Sequence, residues 1–173
     1  EESVNAILEG LKWLGLNWDE GPEVGGEYGP YFQTQRFDTY NPFINRLIES
    51  NKAYKCFCAK EELDVIREEQ FAKKLPVKYS GKCRNLSEKE IQDKINDRIP
   101  YVIRIKCPEN ESIVFNDLIR GEVKFSSETL DDMIIVRSDG IPVYNFVVTI
   151  DDILMKITHV IRGEDHLSNT PKQ

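Results

Sequence analysis

The sequence predicts an α/β protein in which a sheet domain is interrupted by a smaller α+β module and then resumes. Three observations carry this. Apolar residues recur at helical spacing over the first fifty positions; between residues 59 and 140 the texture changes to short strand-like runs joined by tight turns; after Gly140 longer apolar runs return.

Val4, Ile7, Leu8, Leu11 and Leu14 fall on one helical face, and Gly15 stands where a helix stop belongs. Residues 21–30 hold four Gly and two Pro and read as a loop. Phe37, Tyr40, Ile44, Leu47 and Ile48 mark a second helix ending near Asn51; Pro42 either kinks it or opens a new helix capped by Asn41. Residues 53–58 form a short strand, and residues 60–69 a short helix. Ser87 with Glu90 makes a capping box ahead of Ile91 and Ile95, so a further helix starts there. Strand-like runs follow at 101–106, 113–115, 122–125 and 133–137, with turns at Arg120-Gly121 and Ser138-Asp139-Gly140. Residues 144–154 are rich in β-branched side chains, yet Phe146, Ile150, Ile153 and Leu154 fit one helical face, so a helix is expected. Residues 157–161 read as a strand, and Asn169-Thr170-Pro171 as a helix start.

The net charge of −7 over 173 residues argues against a general polyanion binder. Residues 59–125 are nearly balanced, with 14 Lys and Arg against 13 Asp and Glu. Within them, residues 70–87 carry Lys73, Lys74, Lys78, Lys82 and Arg84 with no acid, which suits either phosphate contacts or a solvated loop. No apolar run approaches the ~20 residues of a membrane helix. The first residues carry neither an initiator Met nor a leader pattern, so a fragment of a cytoplasmic protein with no membrane association is expected.

Four cysteines stand at 56, 58, 83 and 107, and in a reducing compartment such clustering points to metal before disulfides. On a strand, Cys56 and Cys58 face the same way at roughly 6.6–6.8 Å, too stretched for an easy disulfide. That spacing suits two thiolates converging on Zn²⁺, with Cys83 as a third ligand and a fourth still required. Cys107 closes an apolar strand and reads as a small buried hydrophobe.

Four blocks carry a family likeness. They are Leu11-Lys12-Trp13-Leu14-Gly15-Leu16 with Asp19-Glu20-Gly21-Pro22, then Gly29-Pro30-Tyr31-Phe32-Gln33 with Gln35, Arg36 and Tyr40. The others are Ser138-Asp139-Gly140-Ile141-Pro142-Val143-Tyr144-Asn145-Phe146, and the run from Ile161-Arg162-Gly163-Glu164-Asp165-His166 to Pro171. In this order, over nearly the whole chain, they resemble the bacterial glutamyl-tRNA synthetases. The resemblance implies a class I enzyme with a Rossmann-like catalytic domain at 1–54 and 141–173, and an inserted domain at 55–140 that binds the tRNA acceptor stem. Such enzymes activate glutamate with ATP and Mg²⁺ and pass it to the 3′ end of tRNA. The family's His/Gly and Lys/Ser/Lys ATP signatures are absent from the sequence, so the chain alone is expected to be inactive. No residue in it is assigned to catalysis.

Arg162 closes the predicted strand at 157–161, at the sheet edge where open α/β sheets bind ligands, and its guanidinium can grip a carboxylate with two parallel hydrogen bonds. The likeness makes it the glutamate-binding Arg; the plain alternative is an ion pair with Glu164 or Asp165. The resemblance also implies that the Tyr144 hydroxyl contacts glutamate and that Asp165 and His166 lie near ATP. Arg120 and Arg137 match tRNA acceptor-end contacts. Val148 stands where some members carry a substrate-contacting Asn. The likeness extends to a zinc site beginning Cys-x-Cys, whose last ligand lies two residues after the third Cys; here that position is Asn85, a poor ligand. Tyr79, four residues before Cys83, matches a Tyr ligand of some relatives, so the implied structural Zn²⁺ set is Cys56, Cys58, Tyr79 and Cys83. Two alternatives stand beside this reading: the related glutamyl-queuosine tRNA synthetase, and a non-catalytic zinc-stabilised RNA-binding module.

Overall fold

A computed structural model describes residues 2–173. The chain divides into two compact units, one running through Thr39 and the other Tyr40–Gln173. In the first, α1 (Glu2–Trp13) follows the apolar spacing and stops where Gly15 takes φ +70°. That left-handed conformation is costly for side chains with a Cβ, which is why glycine serves as the helix stop. The loop after it is tied by reciprocal backbone bonds between Gly21 and Gly25 and by Arg36, which donates to the Pro30 carbonyl at 2.9 Å.

α2 (Phe37–Glu49) is one continuous helix that contains Pro42. Proline has no N–H to give the Asp38 carbonyl, and Asp38 is solvent-exposed, so water can serve that carbonyl. The chain then forms β1 (Ala53–Cys56), α3 (Lys60–Ala72), α4 (Glu88–Asn96) and β2 (Val102–Ile105). β3 (Ser112–Asp117), β4 (Gly121–Ser126), β5 (Ile134–Val136) and α5 (Tyr144–Leu154) follow. The expected capping box is present: Ser87 Oγ accepts from the Glu90 N–H, and Glu90 accepts from the Ser87 N–H at 2.8 Å.

A three-stranded sheet runs in the order β1-β2-β5, both ladders antiparallel, and β3 pairs with β4 in a separate antiparallel hairpin. No parallel ladder occurs among the described residues. Alternation along the strands sends side chains to two faces. On one face Ala53, Ile103, Ile135 and Val136 pack with Tyr40 and Ile44 of α2 and with Phe146, Val147 and Ile150 of α5. Tyr40 also donates from its hydroxyl to Asp151 at 2.9 Å, tying α2 to α5. The opposite face carries Tyr54, Cys56, Phe57 and Cys83, covered in part by Ile91 and Ile95 of α4. The fold is therefore mixed α/β, with both faces of its sheet covered.

Two expectations are corrected. Residues 157–161 form no strand; Ile161 is 99% exposed, and Ile157 and Val160 are also exposed. A β-branched run becomes a strand only when another strand completes its ladder, and none does so among the described residues. Asn169-Thr170-Pro171 starts no helix; a six-residue 3-10 helix, Glu164–Asn169, ends there.

Candidate functional site

The sulfur cluster forms where β1 ends. Cys56 is the last residue of β1, Cys58 lies two residues on, and the turn around Gly81 (φ +72°) returns the chain so that Tyr79 and Cys83 face the strand. Arg84 N–H closes that turn on the Gly81 carbonyl at 2.8 Å. All three Sγ atoms lie within 4.8 Å of one another, with Cys58 and Cys83 at 3.6 Å. The Tyr79 hydroxyl oxygen sits 3.2 Å from Cys56 Sγ and 3.5 Å from Cys58 Sγ. All four cysteines are free thiols.

These distances can be set against a tetrahedral ion. At ~2.3 Å from sulfur and ~2.1 Å from oxygen, it separates two sulfurs by about 3.8 Å and sulfur from oxygen by about 3.6 Å. The Cys58–Cys83 separation and the two distances from the Tyr79 oxygen lie close to those values, and all three sulfurs are within 4.8 Å of one another, so the four residues could hold such an ion. Two backbone groups also point at it: Phe57 N–H donates to Cys83 Sγ at 3.4 Å and Cys83 N–H to the Tyr79 oxygen at 3.1 Å. Hydrogen bonds of this sort favour anionic sulfur and oxygen. The hydrogen bond with Cys83 lowers the Cys56 thiol against the opposing effect of burial. The same bond, with burial, pushes Cys83 up, and burial followed by the bonds to Cys56 and Cys58 pushes Tyr79 up. Asn85 is exposed and lines a polar cleft of about 450 Å³ with Tyr79, Arg84 and Cys107, and it is not among the donors gathered with Cys56, Cys58 and Cys83.

Two residues that the sequence reading did not single out frame this face. Asp132, buried, accepts from the Tyr54 hydroxyl, the Arg84 guanidinium and the Cys107 N–H, each at 2.7 Å. Arg104, 6% exposed, stacks on the Tyr79 ring with its guanidinium carbon 4.0 Å from the centroid. Only strand register marks Arg104: in sequence, the Val-Ile-Arg-Ile alternation reads as a solvent-facing Arg. The basic stretch is largely neutralised. Lys82 pairs with Glu62, Lys73 with Glu69 at 3.5 Å, and Arg84 with Asp132 and Glu109.

The residues assigned to substrate lie around α5 and the C-terminal segment. Tyr144 is the first residue of α5 and is 56% exposed. Arg162 is half-buried and pairs with neither Glu164 nor Asp165. Its guanidinium donates to Gln173 Oε1 at 2.9 Å and to the Thr170 hydroxyl. Gln173 in turn donates to Asn145 Oδ1 at 3.1 Å, which links Arg162 to the first turn of α5. Burial and Asp151 raise Asp152, and the positive charge of Arg162 partly offsets them. Asp165 and His166 are exposed 3.6 Å apart, and His166 also meets Asn169. Arg120 pairs with Glu164 across the sequence, and Arg137 with Asp139 at 2.7 Å. The structure thus gathers Cys56, Cys58, Cys83 and Tyr79, and sets Arg162 beside the start of α5, while Arg137 stands on its own surface turn.

A family model described as the catalytic domain of class I tRNA synthetases (E and Q) matches residues 1–173. A glutamate–tRNA ligase from Caldicellulosiruptor saccharolyticus is 54% identical over the whole chain, and one from Natranaerobius thermophilus 51%. In each case the chain spans 36% of the relative's length. A crystal structure of a glutamate tRNA ligase from Elizabethkingia meningosepticum, in complex with its amino acid, superposes with TM-score 0.88 at 40% identity, covering 98% of this chain and 35% of that one. With a family model matched end to end and relatives above half identity, the chain belongs to the class I tRNA synthetases of the glutamate and glutamine branch.

Proposed function

We propose that this chain serves a glutamate–tRNA ligase, which uses ATP to join glutamate to AMP and then passes it to the 3′ end of tRNA. The observation that carries this is the superposition, over 98% of the chain, on a glutamate tRNA ligase that holds its amino acid. Activation consists of attack by a glutamate carboxylate oxygen on the α-phosphorus of ATP, with pyrophosphate leaving. Transfer consists of attack by a ribose hydroxyl of the terminal adenosine on the mixed anhydride, with AMP leaving. The chemistry is largely a matter of holding reactants in line. Arg162 fits that role: two of its N–H groups already meet neutral oxygens of Thr170 and Gln173, positions from which a carboxylate can take bidentate hydrogen bonds. The exposed Tyr144 hydroxyl stands on the helix that Asn145 joins to the same network. ATP with Mg²⁺ would meet the segment of Asp165 and His166, and tRNA the turns of Arg120 and Arg137.

In this reading residues 1–54 and 141–173 belong to a Rossmann-like catalytic domain and 55–140 to an acceptor-binding insertion. Cys56, Cys58, Cys83 and Tyr79 would hold a structural zinc. Bound there, the ion would cross-link the turn at residues 79–83 to the end of β1 and stabilise the fold without entering the reaction.

The test is glutamate binding by calorimetry, for the wild type and Arg162→Ala. A binding heat abolished by Arg162→Ala is expected; an equal heat in the variant removes Arg162 from the site.

A further inference from the structure

Arg104 sits opposite Tyr54 in the β1–β2 register, on the sheet face that also carries Cys56. It is 6% exposed and makes no ion pair with a carboxylate among the described residues. One of its N–H groups donates to the Asp132 main-chain oxygen at 2.6 Å, while its Nε has no partner. The adjacent carboxylate of Asp132 is already taken by Arg84, Tyr54 and the Cys107 N–H. A guanidinium stays charged at every pH a protein meets, and a buried charge without a compensating anion is expensive. No carboxylate reaches Arg104 at ion-pair distance among the described residues, although Asp131 lines the same small cavity, while the Cys56 sulfur lies within its hydrogen-bonding reach. The plane of Arg104 lies on Tyr79, whose oxygen points at Cys56 and Cys58. Three thiolates and a phenolate around Zn²⁺ leave two excess negative charges, which is the partner that Arg104 lacks.

We propose that Arg104 is the buried counter-ion of the metal centre, a positioning residue that holds the Tyr79 ring against the sulfurs and offsets the negative charge of its bound oxygen. This rests on the zinc reading above. Stacking fixes the ring, since a cation prefers the face of an aromatic ring, and the hydrogen bond to Asp132 fixes the cation. The arrangement explains how a tyrosine, an uncommon zinc ligand, can serve in place of an imidazole: the cation makes its anionic oxygen cheaper to bury. Partners of this kind, one step removed from the metal, change its affinity by roughly 10–100-fold.

The experiment measures zinc affinity by chelator competition on the whole chain, for wild type, Arg104→Lys, Arg104→Gln and Arg104→Met, with far-ultraviolet circular dichroism reporting the fold. Gln is included because it can still donate to Asp132 should Met fail to fold. Zinc held by wild type, weakened roughly 10–100-fold by Gln or Met and largely restored by Lys, supports the proposal. The same Gln substitution in a Tyr79→Phe background, which keeps the ring and removes the oxygen, is expected to cost under about a third of a decade, well below that range. Equal affinity in wild type and Arg104→Gln overturns the role of Arg104 while leaving the zinc site standing. Loss of affinity as large with Lys as with Gln, or as large in the Tyr79→Phe background as with Tyr79 in place, overturns it too. A wild type that binds no zinc overturns the metal reading itself, before any variant is compared.

Discussion

Replacing Asp132 by alanine removes three 2.7 Å hydrogen bonds at once, to Tyr54, Arg84 and the Cys107 N–H. The acceptor is 5% exposed and the Arg84 side chain 22%, so solvent replaces little of what is lost. Breaking a buried pair by removing one partner costs about 3–5 kcal/mol. Arg84 keeps exposed Glu109 and the Cys107 carbonyl, which places the cost toward the lower half of that range; the stranded Tyr54 hydroxyl pushes it back up. The expected destabilisation is about 4 kcal/mol, a large share of the ~5–15 kcal/mol that holds a typical domain folded. In urea, with a slope of about 2 kcal/mol per molar, the midpoint falls by about 2 M. Asp132→Asn keeps an acceptor without the charge and is expected to lose about half as much. The assay is equilibrium urea unfolding followed by circular dichroism. An Asp132→Ala midpoint within about 0.5 M of wild type (about 1 kcal/mol on that slope) would refute the view that Asp132 organises this face.

Ser87→Ala removes one half of the α4 capping box and is expected to cost about 1 kcal/mol in the same assay; a loss of only a few tenths would show that packing alone holds α4. The Asp117 carboxyl is held below its ordinary value of 3.8 by the backbone N–H groups of Arg120 and Ile119. A depressed folded value means that the stabilisation is present above the unfolded value and lost as pH falls through the folded one. The Ile119 and Arg120 amide resonances are thus expected to shift below about pH 4 (on the acid side of the ordinary carboxylate range), and constancy down to about pH 2 would contradict it. Arg120 is committed to Glu164, so Glu164→Ala is expected to strengthen tRNA binding and Arg120→Ala to weaken it with a flatter salt dependence. Filter binding at several salt concentrations decides, and unchanged affinity in both variants removes this turn from the RNA contact.

Where information is local, the sequence was readable. The α4 cap needs only Ser87 and Glu90 three residues apart, and the α1 stop only a glycine able to take positive φ. The same logic located β2 to β5 from alternation and turn residues. It failed at 157–161, because a strand is completed by hydrogen bonds to another segment, and β-branched composition reports only the willingness to be extended. Arg104 was invisible for a related reason. Its neighbours Ile103 and Ile105 mark the buried face, which assigns Arg104 to the opposite face and, by default, to solvent. That the opposite face is also covered depends on Tyr79 and α4, which arrive from distant parts of the chain. Tyr79 itself entered through family likeness, since spacing alone does not nominate a phenol. The proximity of Cys56, Cys58 and Cys83 was legible because a Cys-x-Cys pair and a third thiol in one short segment suggest a common centre.

The central position of β2 has a kinetic consequence. β1 and β5 occupy its two edges, one cluster packs on each of its faces, and no other strand of this sheet is enclosed in that way. The Ile103 and Arg104 amide protons lie in ladders between strands, so their exchange requires a neighbouring strand to detach and the packing over it to open, and it is expected to be slow. β1, although packed on both faces, has a strand on one side only, so it can detach without disturbing the β2–β5 ladder. With the proposed zinc bound, stripping it is expected to speed exchange first along β1 and at the β2 amides that face it, leaving the β2–β5 ladder slow, so the sheet would lose its edge before its centre.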